Sequence, residues 1–252
     1  MNKNDRIDPS IQAILDSANR RKTSNDKVKV APRMLSKAFE KTKARKQIPI
    51  IAEIKPTSPT TERVREEDPV EVAIAMVEGG ATALSVLTEP EFFKGSIEAL
   101  ERVRAAVDIP VLRKDFILKE SHLDAVESDL ILIIASFVDN LEELYYSAKE
   151  RGFQVLLEVH CEKEIEMAVS MGAEIIGINN RNIKNLEVNL ETFEKLADKV
   201  PDKTILIAES GISNENDAMR MYNAGADGLL IGTAIMEGKI KQNTERFTQI
   251  KI

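Results

Sequence analysis

The sequence predicts an α/β fold, a single (β/α)8 TIM barrel with an extra N-terminal helical segment. Eight short apolar runs, rich in Ile, Leu and Val, follow one another from Ile48 onward and mostly do not alternate with polar residues. Such runs are typical of parallel strands that are covered on both faces. Amphipathic stretches separate them, and the runs begin roughly every 25 residues, as βα units do.

In chain order the runs are IPIIAEI, ATALSVL, IPVLRKD, DLILIIA, FQVLLEV, EIIGINN, TILIAES and DGLLIGT. The helical stretch after the first run has clear boundary signals. Asp68 is the expected N-cap, Pro69 takes the first helical position, and Gly79 and Gly80 follow the last turn. Two later stretches enter the next run through small residues, in MGAE and AGAD.

The residues before Ile48 are polar and basic, and two stretches, IQAILDSANRRK and RMLSKAFEKTKARK, permit helix formation. We therefore predict one domain, residues 1–252, in which residues 1–47 form a helical extension and residues 48–252 form the barrel. The rival architecture is a doubly wound open sheet, which usually has a Gly-rich turn after its first strand. Here KPTSPTTE follows the first run, with no glycine.

Composition excludes several classes of function. The net charge is −7 and no basic stripe alternates with aromatic residues, so nucleic acid is not an expected partner. No segment approaches the roughly 18 apolar residues of a membrane helix, and the N-terminus has no apolar run typical of a signal peptide. With a single cysteine, Cys161, no intrachain disulfide is possible. We expect a cytoplasmic protein in a reducing compartment.

Neither of the two histidines, His122 and His160, belongs to a group of residues with the spacing of metal ligands, so no metal site is predicted. Cys161 beside His160 could be a thiol nucleophile or a ligand. No third ligand or orienting residue lies nearby, and the pair is interpreted as part of a loop after a strand.

Polar residues end five of the eight predicted strands, and catalytic groups of barrels lie at the carboxyl ends of strands. Residues two apart on a strand share a face, so Glu53 and Lys55 should lie side by side. A buried pair of this kind is costly for structure alone, which indicates function. In strand order the residues are Glu53 and Lys55, Arg113 and Lys114, Glu158, Asn179 and Arg181, and Glu209 and Ser210.

Two small-residue loops predict a phosphate site. SGIS follows the seventh run, with Ser210 and Gly211, and IGTA follows the eighth, with Gly232 and Thr233. Glycine allows backbone N–H groups to approach an anion, and barrels often bind phosphate in these two loops. The residues thus predict an enzyme acting on a small phosphorylated molecule. Two mechanisms fit: a Schiff base on a desolvated lysine, or general acid–base catalysis by lysines and glutamates.

The motifs together resemble the indole-3-glycerol phosphate synthase family of tryptophan biosynthesis. The matching segments span residue 50 to about residue 237, in the family's order: IIAEIKPTSP, SVLTEPEFFKGS, PVLRKDFILKE, LLEVH, IGINNRN, IAESGIS and LIGTAIM. The resemblance implies a carboxy-lyase that closes the ring of 1-(2-carboxyphenylamino)-1-deoxyribulose 5-phosphate to give indole-3-glycerol phosphate, losing carbon dioxide and water, without metal or organic cofactor.

The resemblance also implies roles for individual residues. Lys114 matches the general acid of ring closure, Glu158 a carboxylate that assists it, and Asn179 a positioning amide. Glu53 and Lys55 match a pair that acts in dehydration. The implied substrate contacts are Ser58 and Arg181 near the anthranilate end, Phe93 and Phe116 along the aromatic ring, Ser210, Gly211, Gly232 and Thr233 around the phosphate, and Glu209 in support.

One loop departs from the family pattern. Pro56 stands where a basic residue is common, and Glu62 stands where glycine is usual, so closure of this loop over the site is expected to differ. Two alternative functions remain at this point: another phosphate-binding barrel enzyme, such as a sugar-phosphate isomerase or a lysine aldolase, and a non-catalytic barrel subunit. Association with other tryptophan-pathway enzymes is also left open.

Overall fold

The computed structural model describes residues 7–21, 26–57 and 65–252. Within these ranges, eight parallel strands form a closed barrel, in which each strand pairs with the next along the chain and the last pairs with the first. The predicted barrel is therefore confirmed and the open sheet is excluded. The strands are β1 (Ile50–Ile54), β2 (Ala83–Leu87), β3 (Val111–Lys114), β4 (Leu130–Ile134), β5 (Gln154–Val159), β6 (Ile175–Asn179), β7 (Ile205–Glu209) and β8 (Gly228–Ile231).

Helices surround the barrel and cover both of its ends. The α-helices are α1 (Pro9–Arg20), α2 (Leu35–Lys43), α3 (Pro69–Glu78), α4 (Ile97–Ala106), α5 (Leu141–Glu150), α6 (Glu162–Ser170), α7 (Glu191–Leu196), α8 (Glu215–Asn223), α9 (Thr233–Met236) and α10 (Ile240–Thr248). Short 3-10 helices lie at Glu120–Ala125, Ala135–Phe137 and Ala197–Lys199. The first of these joins β3 to β4. Among the helices of the described ranges, none has the length and apolar character needed to span a membrane.

The boundaries of α3 follow its sequence signals. Asp68 caps the helix, accepting a hydrogen bond from the backbone N–H of Val70 at 2.8 Å, and Pro69 is the first helical residue. Gly80, just beyond the helix, has a φ of +90°, which only glycine adopts without strain. The left-handed turn at Gly80 sets the direction in which the chain leaves α3 and returns to β2.

The strands are buried on both faces, as their apolar runs predict. Ile50, Ala52 and Ile54 pack outward with the helices, in the large apolar cluster. Ile51, between them, belongs to a smaller cluster inside the barrel. This alternation leaves the interior positions at the carboxyl ends of the strands to polar residues.

Helix α2 closes the end of the barrel where the strands begin. Leu35 and Phe39 join the interior apolar cluster. The side-chain carbonyl of Gln154, the first residue of β5, accepts a hydrogen bond from the backbone N–H of Leu35 at 2.9 Å. Lys43, at the end of α2, pairs with Asp227, the residue before β8. The helix therefore acts as a plug at this end.

Helix α1 covers the opposite end, where the strands finish. The Arg21 guanidinium, directly after the helix, donates a hydrogen bond at 2.5 Å to Asp115, the residue that follows β3. Lys119 donates to the backbone carbonyl of Asn19 at 3.0 Å. The predicted helical extension is thus confirmed in α1 and α2, and its two helices occupy opposite ends of the barrel.

Candidate active site

A cavity of about 530 Å³ opens at the carboxyl ends of the strands. Most residues that the sequence predicts for the site line it: Glu53, Lys55, Phe93, Lys114, Phe116, Glu158, Asn179, Arg181, Ser210, Gly211, Gly232 and Thr233. Glu209 is 1% exposed and lies behind Lys114 instead of on the cavity wall. Ser58 and Glu62 lie outside the described residues.

Strand geometry brings the charged groups together. Lys114, Asn179 and Glu209 are the last residues of β3, β6 and β7, while Glu53 and Glu158 are the last but one of β1 and β5. Their strands also carry interior apolar residues two positions earlier, or four positions earlier on β6, so the period of two turns these polar side chains inward as well. A ring of apolar residues therefore supports a ring of polar ones.

Lys114 lies at the centre of this ring. Its Nζ donates to Oε2 of Glu209 at 2.9 Å and lies 3.8 Å from Oε2 of Glu158 and 4.0 Å from Oε2 of Glu53. Burial opposes the charge of Lys114, but these three carboxylates outweigh it and raise the pKa of the lysine. Lys114 is therefore an ammonium ion at neutral pH, which suits a proton donor and not a free amine nucleophile.

Two of the carboxylates around Lys114, Glu158 and Glu209, differ from each other in their pKa. Burial opposes ionisation of Glu158, but His160 and Lys114 outweigh it and lower the pKa of Glu158. Burial raises the pKa of Glu209 and, together with the Glu158 charge, prevails over Lys114. Pairs of titratable groups pushed apart in this way are typical of acid–base sites.

Lys55 joins the ring to the loop after β8. Its Nζ lies 3.3 Å from Oε1 of Glu53 and donates to the Thr233 hydroxyl at 3.2 Å. The pairing predicted from the i, i+2 spacing is confirmed. Gly232 makes this approach possible, because a Cβ there would lie 2.5 Å from Oε1 of Glu53. A side chain at Gly232 would therefore disturb Glu53 as well as the loop.

The loop after β7 turns through two residues in the left-handed region. Ser210 has a φ of +64° and Gly211 a φ of +82°. This conformation is uncommon for serine and often marks a functional position. Both residues face the same cavity as Gly232 and Thr233, so the two predicted phosphate loops do meet at one side of the site.

An aromatic wall lies on another side of the cavity. The ring centroids of Phe93 and Phe116 are 6.4 Å apart, and those of Phe116 and Phe137 are 6.1 Å apart. The sequence predicts the first two rings and misses Phe137. Phe137 lies in the short helix that follows β4. Its place soon after a strand is the only sequence signal for it, because β4 does not end in a charged residue.

Asn179 orients Glu158 within the ring. Its side-chain amide donates to Oε1 of Glu158 at 2.7 Å, and its carbonyl oxygen accepts from the backbone N–H of Arg181 at 2.9 Å. The Arg181 guanidinium donates to the backbone carbonyl of Leu186 at 2.9 Å while lining the cavity. The predicted positioning amide and the predicted anion-binding arginine are thus linked.

His160 is a further site residue that sequence reasoning misses. It is interpreted from the sequence as part of a loop, yet its Nε2 lies 3.2 Å from Oε1 of Glu158. The signal was present, since His160 follows Glu158 by two positions, as Lys55 follows Glu53.

Among the described residues, no group of three or more His, Cys, Asp or Glu side chains is arranged to hold a metal ion.

Comparison with known proteins identifies the family. The family model described as indole-3-glycerol phosphate synthase matches residues 5–247. The chain belongs to the indole-3-glycerol phosphate synthase family. This match confirms the resemblance drawn from the motifs, and with it the prediction of a decarboxylating lyase of tryptophan biosynthesis.

Individual relatives agree with this assignment. The indole-3-glycerol phosphate synthase of Haloarcula marismortui is 52% identical, over 99% of this chain and 95% of that protein. The corresponding protein of Halobacterium salinarum is 49% identical over 94% of each chain, and that of Methanocaldococcus jannaschii is 43% identical over 84% and 82%. A solved thiamine phosphate pyrophosphorylase from Pyrococcus furiosus has a TM-score of 0.61 at 20% identity, a likeness that shows the fold alone.

Proposed function

We propose that this chain converts 1-(2-carboxyphenylamino)-1-deoxyribulose 5-phosphate to indole-3-glycerol phosphate, with Lys114 as the general acid of ring closure. Family membership supports the reaction. The observation that carries the role of Lys114 is its position as a partly buried ammonium ion that lines the cavity and lies within 4.0 Å of three carboxylates. Such a group can deliver a proton to an oxygen placed above it.

Ring closure requires that proton. The aromatic carbon that bears the carboxylate attacks the ketone carbon, and Lys114 protonates the ketone oxygen as the new carbon–carbon bond forms. Carbon dioxide then leaves, and its bonding electrons restore the aromatic ring. Glu158, ionised and held by Asn179, stabilises the ammonium ion and accepts hydrogen bonds from the substrate.

Dehydration completes the reaction. The hydroxyl formed in the first step leaves as water, and a proton is removed from the neighbouring carbon to create the indole double bond. The pair of Glu53 and Lys55 supplies a carboxylate base and an ammonium acid 3.3 Å apart. Glu209 does not line the cavity, and it holds Lys114 in place by accepting a hydrogen bond from its Nζ.

The substrate fits the cavity in one direction. Its phosphate goes to the loops with Ser210, Gly211, Gly232 and Thr233, near the Lys55 charge. Its aromatic ring goes to the wall of Phe93, Phe116 and Phe137, with Arg181 toward the carboxylate. We keep Ser58 as a predicted contact at that end.

We also propose that residues 1–252 act as one domain and that the protein works in the cytoplasm. The contacts of α1 and α2 at opposite ends of the barrel support the first statement. The single cysteine, Cys161, exposed and free, supports a reducing compartment. Association with other tryptophan-pathway enzymes stays a prediction, which co-purification from the native cells would test.

The test of the proposed function is turnover of the carboxyphenylamino-deoxyribulose phosphate, followed by indole fluorescence, in the parent and in Lys114→Met. We expect kcat to fall by about 10²–10⁴-fold in the variant, because it has lost its general acid. Lys195→Met is the matched control, since Lys195 is exposed on α7 and pairs with Glu191 on the same helix. Its kcat should equal that of the parent.

Lys114→Arg separates proton transfer from charge. Arginine keeps a positive charge among the carboxylates but does not release its proton near neutral pH. We expect the arginine variant to fold and to remain inactive. Near-parental turnover in Lys114→Arg would show that only the charge matters, and covalent trapping of Lys114 by borohydride with substrate would favour the Schiff-base mechanism.

A further inference from the structure

His160 occupies the short connection between β5 and α6, directly behind Glu158. Its imidazole lies between two carboxylates from different elements. Nε2 is 3.2 Å from Oε1 of Glu158 on β5, and Nδ1 is 3.5 Å from Oε2 of Glu164 on α6. The side chain is 10% exposed, so these contacts are shielded from water.

Glu164 is itself held in place. It accepts a hydrogen bond from the backbone N–H of His160 at 2.7 Å and one from the Ser136 hydroxyl at 2.6 Å. Ser136 also lies 3.4 Å from Nδ1 of His160. These bonds come from residues after β4 and β5, so the outer carboxylate is fixed relative to the barrel and not only to its own helix.

His160 contacts the Glu158 oxygen that does not face Lys114. Oε1 of Glu158 has Asn179 at 2.7 Å and His160 at 3.2 Å, while Oε2 faces Lys114 at 3.8 Å. Nε2 of His160 has no aligned hydrogen-bond acceptor among the described residues, so its contact with Glu158 is mainly an attraction between charges.

Glu158 lies in a group that holds more carboxylates than ammonium ions. Among the described residues around Lys114, three carboxylates, Glu53, Glu158 and Glu209, accompany two ammonium groups, Lys55 and Lys114. Buried carboxylates that exceed their cations tend to take up protons. A positive imidazole behind Glu158 places a further cation directly against that carboxylate, while Glu164 balances the charge of the imidazole itself.

The titration of His160 agrees with this geometry. Burial lowers the pKa of the imidazole, but Glu158 and Glu164 outweigh it and raise the pKa of His160 to about 9. The groups that face the ring are Glu158, Glu164 and Ser136, and Lys114 lies beyond Glu158.

We propose that His160 is a positioning residue for ring closure: an imidazolium ion, braced by Glu164, that keeps Glu158 ionised and turned toward Lys114. This inference rests on the proposed function. It assigns a role to a carboxylate–imidazole–carboxylate chain that runs from the cavity floor to the first turn of α6. A helix-capping role alone would account for Glu164 but would not need the contact between His160 and Glu158.

The first experiment reads the imidazole directly and does not depend on turnover. The chain has two histidines, so the NMR resonances of His160 are assigned by comparison with His160→Asn. We expect His160 to titrate well above its ordinary value of about 6.5. Glu164→Gln should lower that pKa, and Glu166→Gln, the same change at an exposed position of α6, should leave it unchanged. Titration at or below the ordinary value would overturn the proposal.

The second experiment measures kcat and KM of His160→Asn between pH 5 and 9. Loss of the cation raises the pKa of Glu158, so the acid limb of the kcat profile should move upward by about 1 pH unit or more. We expect kcat at neutral pH to fall about tenfold with KM nearly unchanged, and a smaller effect in the same direction in Glu164→Gln.

The outcomes separate the inference from the reaction itself. A folded His160→Asn protein with parental kcat and an unmoved acid limb would overturn the role of His160 and leave the proposed function standing. A lower melting temperature with parental kinetics would reduce His160 to a structural residue. A parent protein that does not turn over the substrate would overturn the proposed function, and the positioning role with it.

Discussion

The two lysines that line the cavity have different neighbours, which supports the different tasks proposed for them. Lys114 is surrounded by the carboxylates of Glu53, Glu158 and Glu209. Lys55 pairs with Glu53 and donates to the Thr233 hydroxyl in the loop after β8. Proximity to that loop suits Lys55 for contact with the substrate's phosphate, whereas Lys114 is suited to the reacting carbon skeleton.

Replacing Thr233 tests the phosphate side at the scale of one residue. Thr233→Val keeps the shape of the side chain but removes the hydroxyl that accepts from Lys55. We expect KM to rise by about tenfold, which corresponds to roughly 1.4 kcal/mol and is typical of a lost hydrogen bond to a charged group. Steady-state kinetics and competition by inorganic phosphate measure the change.

Thr192→Val, the same substitution on α7 and away from the cavity, is the matched control for Thr233→Val. Its KM should remain at the parental value. An unchanged KM in Thr233→Val itself would contradict placement of the phosphate against this loop.

At the scale of elements, α1 braces the aromatic wall through Arg21. The guanidinium contacts Asp115 at 2.5 Å and Glu89 at 3.5 Å. Asp115 accepts a hydrogen bond from the backbone N–H of Phe116, and Glu89 accepts one from that of Phe93. One cation at the end of α1 therefore reaches both loops that carry the predicted ring-binding residues.

Arg21→Met should loosen these loops and raise KM by up to about tenfold, a factor equivalent to 1.4 kcal/mol of binding free energy. The effect on kcat should be smaller, because Arg21 does not touch the acid–base groups. Arg20→Met, at an exposed position one residue earlier on α1, is the control and should behave like the parent. Equal KM values for the two variants would show that α1 does not support the wall.

The packing of α2 against β8 leaves no space for a larger residue. A Cβ at Gly228 would lie 2.5 Å from the ring of Phe39. Gly228→Ala should therefore lower the free energy of unfolding by about 1–3 kcal/mol, the usual cost of overpacking. Chemical denaturation measures this change without reference to activity.

Phe39→Leu should relieve the clash in the double variant. We expect the loss in the double variant to be smaller than the sum of the single losses by at least about 0.5 kcal/mol. Additive losses would mean that Gly228 is needed for some reason other than contact with α2.

At the scale of the whole molecule, the two histidines give stability opposite dependences on pH. Burial lowers the pKa of His122 to about 4, helped by Lys119 and Arg113. Its contribution to stability is present above the ordinary value of about 6.5 and is lost as the pH falls through 4. The pKa of His160 is raised to about 9, so its contribution is present below 6.5 and is lost as the pH rises through 9.

His122→Asn should remove part of the loss on the acid side. Asparagine can still accept the hydrogen bond that His122 takes from the backbone N–H of Leu118, but it does not gain a charge. The parent should lose on the order of 1–3 kcal/mol more than this variant between pH 6.5 and 4. Denaturant unfolding at several pH values measures the difference.

His160→Asn is the counterpart, because it should differ from the parent on the alkaline side instead. Parallel stability curves for the parent and both variants would contradict the assigned charge states of the two rings.

Much of the site follows from the sequence because strands repeat every two residues. The spacing of Glu53 and Lys55, and the polar ends of β3, β5, β6 and β7, are sufficient to predict one ring of charges at one end of a barrel. Phe137 escapes this reasoning, since it lies three residues beyond the end of β4, where no period of two applies. His160 has the same spacing from Glu158 as Lys55 has from Glu53, but the sequence does not show which partners its ring meets. The contact between Arg21 and Asp115 joins residues 94 positions apart, and no local pattern signals it.

The sequence by itself determined the eight strands, their burial on both faces, the polar residues at their ends and the family to which the chain belongs. Only the tertiary structure decided the charge state of those residues. The pKa of Lys114 depends on its distances to carboxylates on β1, β5 and β7, which are set by closure of the barrel. It also decided that α1 covers the site while α2 fills the opposite end, because helical periodicity specifies an apolar face but not the surface on which it packs.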